Sequence, residues 1–271
     1  MHHNCKPRWL GRPHLIARLG WLTLASGLVM GMPTAYAQLD TTLNFEPPPM
    51  TTPGNREAGG GRNDTCADTA GSMGMVALVP ETNTGLTLNA SPDLFVYVPP
   101  NAAATAELRI FHEATGDPVY AGEFTLPENV KSVEYPSGGA IVKLPLDAAA
   151  VTLESGESYI WAVLVVCDRT NRAADIVVDV GVQSVSDDYL STLSAEVSSQ
   201  LAALGTATEE DKVLTYNSAG LWQDLLSTLS ELVAVDPEAY ESAWTDLLTA
   251  QGMAAIADDP IFITTFSPIE Q

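Results

Sequence analysis

The sequence predicts an α+β protein, an antiparallel β-sandwich over residues 75–185 followed by a helical subdomain over residues 186–271. Three observations carry that prediction. Short apolar runs broken by Gly and Pro succeed one another from Met75 to Val185, Ala106, Leu108 and Ile110 alternate with Glu107 and Arg109, and beyond Ser186 the apolar spacing changes from two to three and four. The chain has 271 residues and is 46% apolar, enough for a real core and against wholesale disorder. With 34 Asp and Glu against 12 Lys and Arg it carries a formal charge of -22, so nucleic acid and anionic membrane surfaces are excluded as favoured partners.

The first 37 residues read as a secretory signal peptide. Lys6, Arg8, Arg12 and Arg18 form a basic stretch without an acid, Leu19 to Met32 is mostly apolar, and Ala35-Tyr36-Ala37 is a small-x-small cleavage signature, predicting cleavage after Ala37. The competing reading is an uncleaved anchor, for which the apolar stretch falls short of the roughly 20 residues that span a bilayer. No Cys follows that stretch, which argues against a lipoprotein. Cleavage leaves 234 of the 271 residues and no stable membrane span; the four basic residues lost leave 8 against 34 acids, a net -26. The exported chain keeps Cys66, Cys167 and one imidazole, His112. Two cysteines in an exported chain predict one Cys66–Cys167 disulfide, with two buried free thiols as the alternative. Four zinc ligands cannot be assembled from that set.

Residues 38–74 hold Pro47-Pro48-Pro49, Pro53-Gly54 and Gly59-Gly60-Gly61 and read as a Pro/Gly-rich linker or loosely ordered arm. The glycines lack the preceding strand, following helix and lysine of a phosphate loop. Strands are then predicted at Met75–Val79, Leu86–Asn89, Leu94–Val98, Ala106–Ile110, Tyr120–Leu126, Ile141–Leu144, Tyr159–Cys167 and Ile176–Val182, about eight with no helix between them. Within them, Leu153-x-x-Gly156-x-x-Tyr159 places a tyrosine at a strand start after a glycine corner, with Trp161 and Cys167 on the same face. This looks like the tyrosine corner of immunoglobulin-like sandwiches, so the sandwich is expected to have that topology. Ile160, Ala162, Leu164 and Val166 make the other face apolar too, and the strand is expected to be central and covered on both sides.

Leu190, Leu193, Val197, Leu201 and Leu204 predict one helix, with Asp187 and Asp188 in its first turn and Gly205 past its end. Thr208 caps a second through Tyr216, Trp222 to Val233 mark a third, and Asp236-Pro237 opens a fourth whose stripe is Tyr240, Trp244, Leu247 and Leu248. The paired helices resemble a tetratricopeptide-like hairpin, without a matching 34-residue repeat.

Gly59-Gly60-Gly61-Arg62 before Cys66, Ala77-Leu78-Val79-Pro80, Phe95-Val96-Tyr97-Val98-Pro99, Leu153 to Cys167-Asp168, Gly220-Leu221-Trp222-Gln223-Asp224 and Trp244 to Leu248 together resemble domain-of-unknown-function family 928, found mainly as exported cyanobacterial proteins. The resemblance covers about Gly59 to Phe262. It implies export and this architecture and carries no activity.

His112 is in register with Leu108 and Ile110 and reads as a core or edge histidine. No Gly-x-Ser-x-Gly elbow offers it a serine, and a disulfide removes the thiols. Asp64 with Asp68, Asp187 with Asp188, Glu209-Glu210-Asp211 and Asp258-Asp259 could serve calcium, yet none has EF-hand spacing and most fit helix first turns or solvated surface. Trp222, Trp244, Tyr216 and Tyr240 fit helix packing more simply than a sugar platform. Asn63-Asp64-Thr65 has the glycosylation acceptor pattern, which matters in a eukaryotic secretory route. The expectation is a non-catalytic interaction or structural module of the cell envelope with a protein partner there, without cofactor or metal. A carbohydrate- or calcium-dependent binding protein is the alternative, and a hydrolase using His112 a third.

Overall fold

A computed structural model of the chain describes residues 39, 42–58, 74–100, 103, 105–126 and 138–268. The signal-peptide reading, the glycine run, Asn63, Asp64, Cys66 and Asp68 lie outside these. Ten strands and five α-helices are formed by the described residues: β1 Val76–Ala77, β2 Thr84–Thr87, β3 Asp93–Val98, β4 Thr105–His112, β5 Pro118–Thr125, β6 Ala140–Pro145, β7 Ser158–Val165 and β8 Ile176–Ser184; then α1 Asp187–Thr192, α2 Ala195–Ala202, α3 Glu209–Ala219, α4 Trp222–Val235 and α5 Pro237–Ala250; then β9 Ile261–Ile263 and β10 Phe266–Pro268.

The strands make two sheets, ordered β10-β5-β4-β7-β8-β2 and β1-β3-β6-β9. Alternation explains how they face each other. Ala106, Leu108 and Ile110 of β4, Trp161, Val163 and Val165 of β7 and Val178, Val180 and Val182 of β8 meet Leu94, Val96 and Val98 of β3 and Val142 and Leu144 of β6 in one buried core. The other residues of the four-stranded sheet, Val76, Phe95, Tyr97 and Ile141, are buried against Trp222, Leu225, Leu226 and Leu229 of α4 and Trp244, Leu247 and Leu248 of α5. The four-stranded sheet is therefore a middle layer between the larger sheet and the helices, which is why Leu94 to Val98 is apolar without interruption.

Three features depart from the sequence reading. The sheets are mixed rather than wholly antiparallel, since β2 pairs parallel with β8 and β6 parallel with β9; the long crossovers between those strands permit it. The strands covered on both faces are β3 and β6. β7 is central in its sheet, but Ile160 and Leu164 on its outer face stay half-buried because the helices pack on the other sheet. The helix expected from residue 187 to 204 is two, because the Ser194 hydroxyl accepts the Val197 N–H (3.2 Å) and starts α2 afresh while Leu193 turns extended.

The remaining caps match their residue types. Ser186, Thr208 and Asp236 accept the N–H of Tyr189, Asp211 and Ala239, with Pro237 at the first position of α5. Gly156, at φ +83, makes the corner before β7, where Tyr159 Oη accepts the Glu154 N–H at 3.0 Å and Leu153 and Trp161 are buried.

Both sheets are laced together at their edges. Residues 42–58, expected as a linker or loose arm, are docked: Asn55 bridges Asp179 of β8, Glu57 bridges Val76 of β1, and Leu43 and Phe45 are buried in the helical core. Gly181 permits this approach, because a Cβ there would sit 2.4 Å from Thr52 Oγ1. On the opposite side β9 joins β6 and β10 joins β5, within a region expected to be helical throughout. Three-residue runs show no period, so these strands have no sequence signature. The described residues all fall within one compact unit, and no helix among them is long and apolar enough to cross a membrane.

Candidate functional site

Among the described residues, a concavity with both apolar and charged walls lies where α4, α5 and β9 meet. It begins from an anomaly in β6. Residues 141 and 143 point to the helices, and the second of these positions is Lys143, 5% exposed, rather than an aliphatic residue. Its ammonium is 2.7 Å from Asp93 Oδ2 and 3.3 Å from Glu231 Oε1, and it lies 5.8 Å from the centre of the Phe95 ring. Asp93 also accepts a short hydrogen bond from Ser227 of α4. The lysine is thus satisfied by a carboxylate of its neighbouring strand and by one helix, which ties α4 to the middle sheet.

Above it opens a cleft of about 380 Å³, within the range of small-ligand sites. Its walls are the end of α4 (Val233, Ala234), the start of α5 (Pro237, Glu241, Trp244) and the segment 257–263. Trp244 is 2% exposed and packs at 6.2 Å from Phe95, so it forms rigid backing rather than a mobile lid. Glu231, Glu241 and Asp258 stand exposed around the opening. Asp258 accepts from Thr245 Oγ1, and among the described residues neither Glu241 nor Asp258 has a cationic partner.

Of the residues singled out from sequence, Trp244 and the Asp258-Asp259 pair line this cleft and the others are distributed elsewhere. His112 stands at the end of β4, its Nε2 3.0 Å from Glu157 Oε2 and its ring edge-on to Tyr159 at 5.4 Å. Among the described residues no serine hydroxyl or cysteine thiol hydrogen-bonds that ring, whose Nδ1 is buried without a partner. Asp187 and Asp188 occupy the first turn of α1, and Glu209, Glu210 and Asp211 that of α3, where Glu209 pairs with Lys212 and Glu210 accepts from Tyr240. Among the described residues no group of three or more His, Cys, Asp and Glu is placed to hold a metal ion. Trp222 and Trp244 pack in the helical core with Tyr240, and Tyr216 sits half-buried at its margin. Cys167 is engaged in an interaction. It follows β7 and opens a loop pinned from three directions: Asp175 Oδ1 accepts the Cys167 N–H, Arg172 pairs with Asp175 at 2.6 Å, and Arg172 reaches Glu107 at 2.8 Å.

Glu107 and Lys143 were not singled out from sequence. Glu107 is 3% exposed on the outward face of β4 and held by Arg109 and Arg172; burial raises its carboxyl, but bonds from the Arg172 and Arg109 guanidinium groups outweigh that and hold it below the usual range. Lys143 did leave a signal, as the one charge within Ala140-Ile141-Val142-Lys143-Leu144.

A second titratable tether acts on helix α4. Asp224 accepts the Leu88 and Asn89 N–H groups at 2.8 and 3.2 Å, and burial pushes its carboxyl up to about 6 against the pull of those bonds. An unfolded aspartate titrates near 3.9. A folded value above the unfolded one gives stability that is complete below pH ~4 and is lost as pH rises to about 6. Urea midpoints at pH 4, 5, 6 and 7 should therefore move in favour of Asp224→Asn relative to wild type between pH 4 and 6 and then level off. A difference independent of pH contradicts the assignment.

A profile of the family described as Domain of Unknown Function (DUF928) matches residues 57–261 of the chain. No curated protein and no solved structure matches it.

Proposed function

The chain belongs to the DUF928 family, and on that footing we propose that it is an exported, non-catalytic binding module of the cell envelope whose ligand site is the cleft above Lys143. The cleft carries the reading. It is concave and largely apolar, and its single lysine is already engaged by Asp93 and Glu231, so its amine is held as a structural cation rather than offered as a nucleophile. Export is supported by the basic stretch, apolar run and Ala35-Tyr36-Ala37 of the leader. A Cys66–Cys167 disulfide accompanies export in this reading, supported by the engaged state of Cys167 and by the pinned loop that presents it. The sandwich is read as immunoglobulin-like on the Tyr159 corner, and α4 with α5, joined through Asp236, as a tetratricopeptide-like hairpin.

One experiment addresses compartment and bond together: intact mass of the protein recovered outside the cytoplasm, before and after reduction and alkylation. The expected product begins at Gln38 and takes up alkylating reagent only once reduced. A full-length cytoplasmic product overturns the reading of export, and two reactive thiols without reduction overturn the disulfide.

A further inference from the structure

The cleft has an unusual rim. Ile263 at the end of β9 lines it and is 72% exposed, so a large apolar side chain stands in solvent at the edge of a concavity otherwise walled by Val233, Ala234, Pro237, Trp244 and Ile261. A single exposed aliphatic is ordinary on its own; one continuous with an apolar concavity marks an interaction surface. Around the same opening stand Glu231, Glu241 and Asp258, of which the last two meet no cation among the described residues. Apolar contacts beside unneutralised carboxylates fit a partner that brings aliphatic and basic side chains together.

Charge selects the kind of partner. The whole chain has 34 acids against 12 bases, so a second copy would bring like charge to this rim and an anionic lipid surface would be repelled. Nucleic acid fails for the same reason. A basic polypeptide segment is attracted by the field of the whole molecule and neutralised locally at the rim. We infer that the cleft between α4, α5 and β9 docks a segment of another protein in which a Lys or Arg lies beside an aliphatic residue, the cation meeting Glu241 and Asp258 and the aliphatic side chain meeting Ile263 and Ile261. This rests on the reading of the cleft as a ligand site and specifies what enters it.

The test uses the mature chain and four acetylated, amidated peptides of equal length: one pairing Lys with Leu, one with each Lys replaced by Glu, one with each Lys replaced by Ser, and one with Leu replaced by Gly. Calorimetry should find the Lys-Leu peptide bound most tightly, with affinity falling as salt rises from about 20 to about 150 mM. Glu241→Gln with Asp258→Asn should weaken it about tenfold and flatten the salt dependence, as loss of rim charges does. Ile263→Ser should weaken it while leaving the salt dependence intact. The exposed acids of α1 and α2 supply the control, Asp188→Asn with Glu196→Gln, which should change nothing. If that control weakens binding as much as the rim pair, the attraction is diffuse and the inference falls. If the Glu or Ser peptide binds as well as the Lys peptide, the inference falls while the cleft survives as a ligand site. If none of the four binds, both fall.

Discussion

Replacing Trp222 by alanine should cost about 3–5 kcal/mol, the range for deleting a buried indole. The side chain is fully buried, its Nε1–H donates to the Leu78 carbonyl at 2.8 Å, and Phe45 packs edge-on to it at 4.8 Å. The substitution therefore opens a cavity between α4 and the middle sheet, orphans a buried acceptor, and removes the surface on which the 42–58 segment sits. Two readouts separate these losses. Urea unfolding reports the sum, and limited proteolysis reports release of the segment, with new cleavage expected near Phe45. Trp222→Phe keeps most of the packing but leaves Leu78 unpaired, so it should cost about 1–3 kcal/mol and leave the segment protected. Equal losses in the two variants would show that packing against Phe45 contributes nothing.

Lys143→Met should be the next most damaging change, about 3 kcal/mol, although methionine suits an apolar strand better than lysine does. The loss comes from Asp93, which stays partly buried with Ser227 as its remaining partner once the ammonium 2.7 Å away is gone. Breaking one side of a buried pair leaves an uncompensated charge, whereas removing both sides is often nearly neutral. Lys143→Met combined with Asp93→Asn should recover most of the stability lost in the single variant. A double variant no more stable than Lys143→Met would place the loss in the packing of the lysine stem against Phe95, and not in the ion pair.

Much of the β region was legible in advance, and the reasons are local. All eight strands expected between Met75 and Val182 exist, because Pro80, Gly85, Pro92 and Pro99 punctuate them and inward residues alternate. Helices α3, α4 and α5 were legible through Thr208, Asp236-Pro237 and the leucine spacing. The layering was not legible, since an apolar run such as Leu94 to Val98 says that both faces are covered without saying by what. Parallel pairing of β2 with β8 and the short β9 and β10 depend on contacts between distant segments, which leave no pattern in either one. The cleft was illegible for the same reason: position 143, the α4–α5 junction and residues 257–263 are far apart along the chain and meet only in the fold. Leu43-Asn44-Phe45 did hold a two-residue alternation amid the prolines, a small sign that the segment docks.

The lacing of both sheet edges also bears on when this chain can fold. Phe266 must find Phe124, Ile261 must find Ile141, and Asn55 must find Asp179, each closing a loop of more than a hundred residues. Closures of that length are slow because their entropy is lost before any contact repays it. The four-stranded sheet lacks its last strand until residue 263 has been synthesised and the six-stranded sheet until residue 268, so a shorter nascent chain lacks the pieces that seal it. Such a topology delays the native state until the last of these strands has emerged, an interval of the kind that the export proposed above requires.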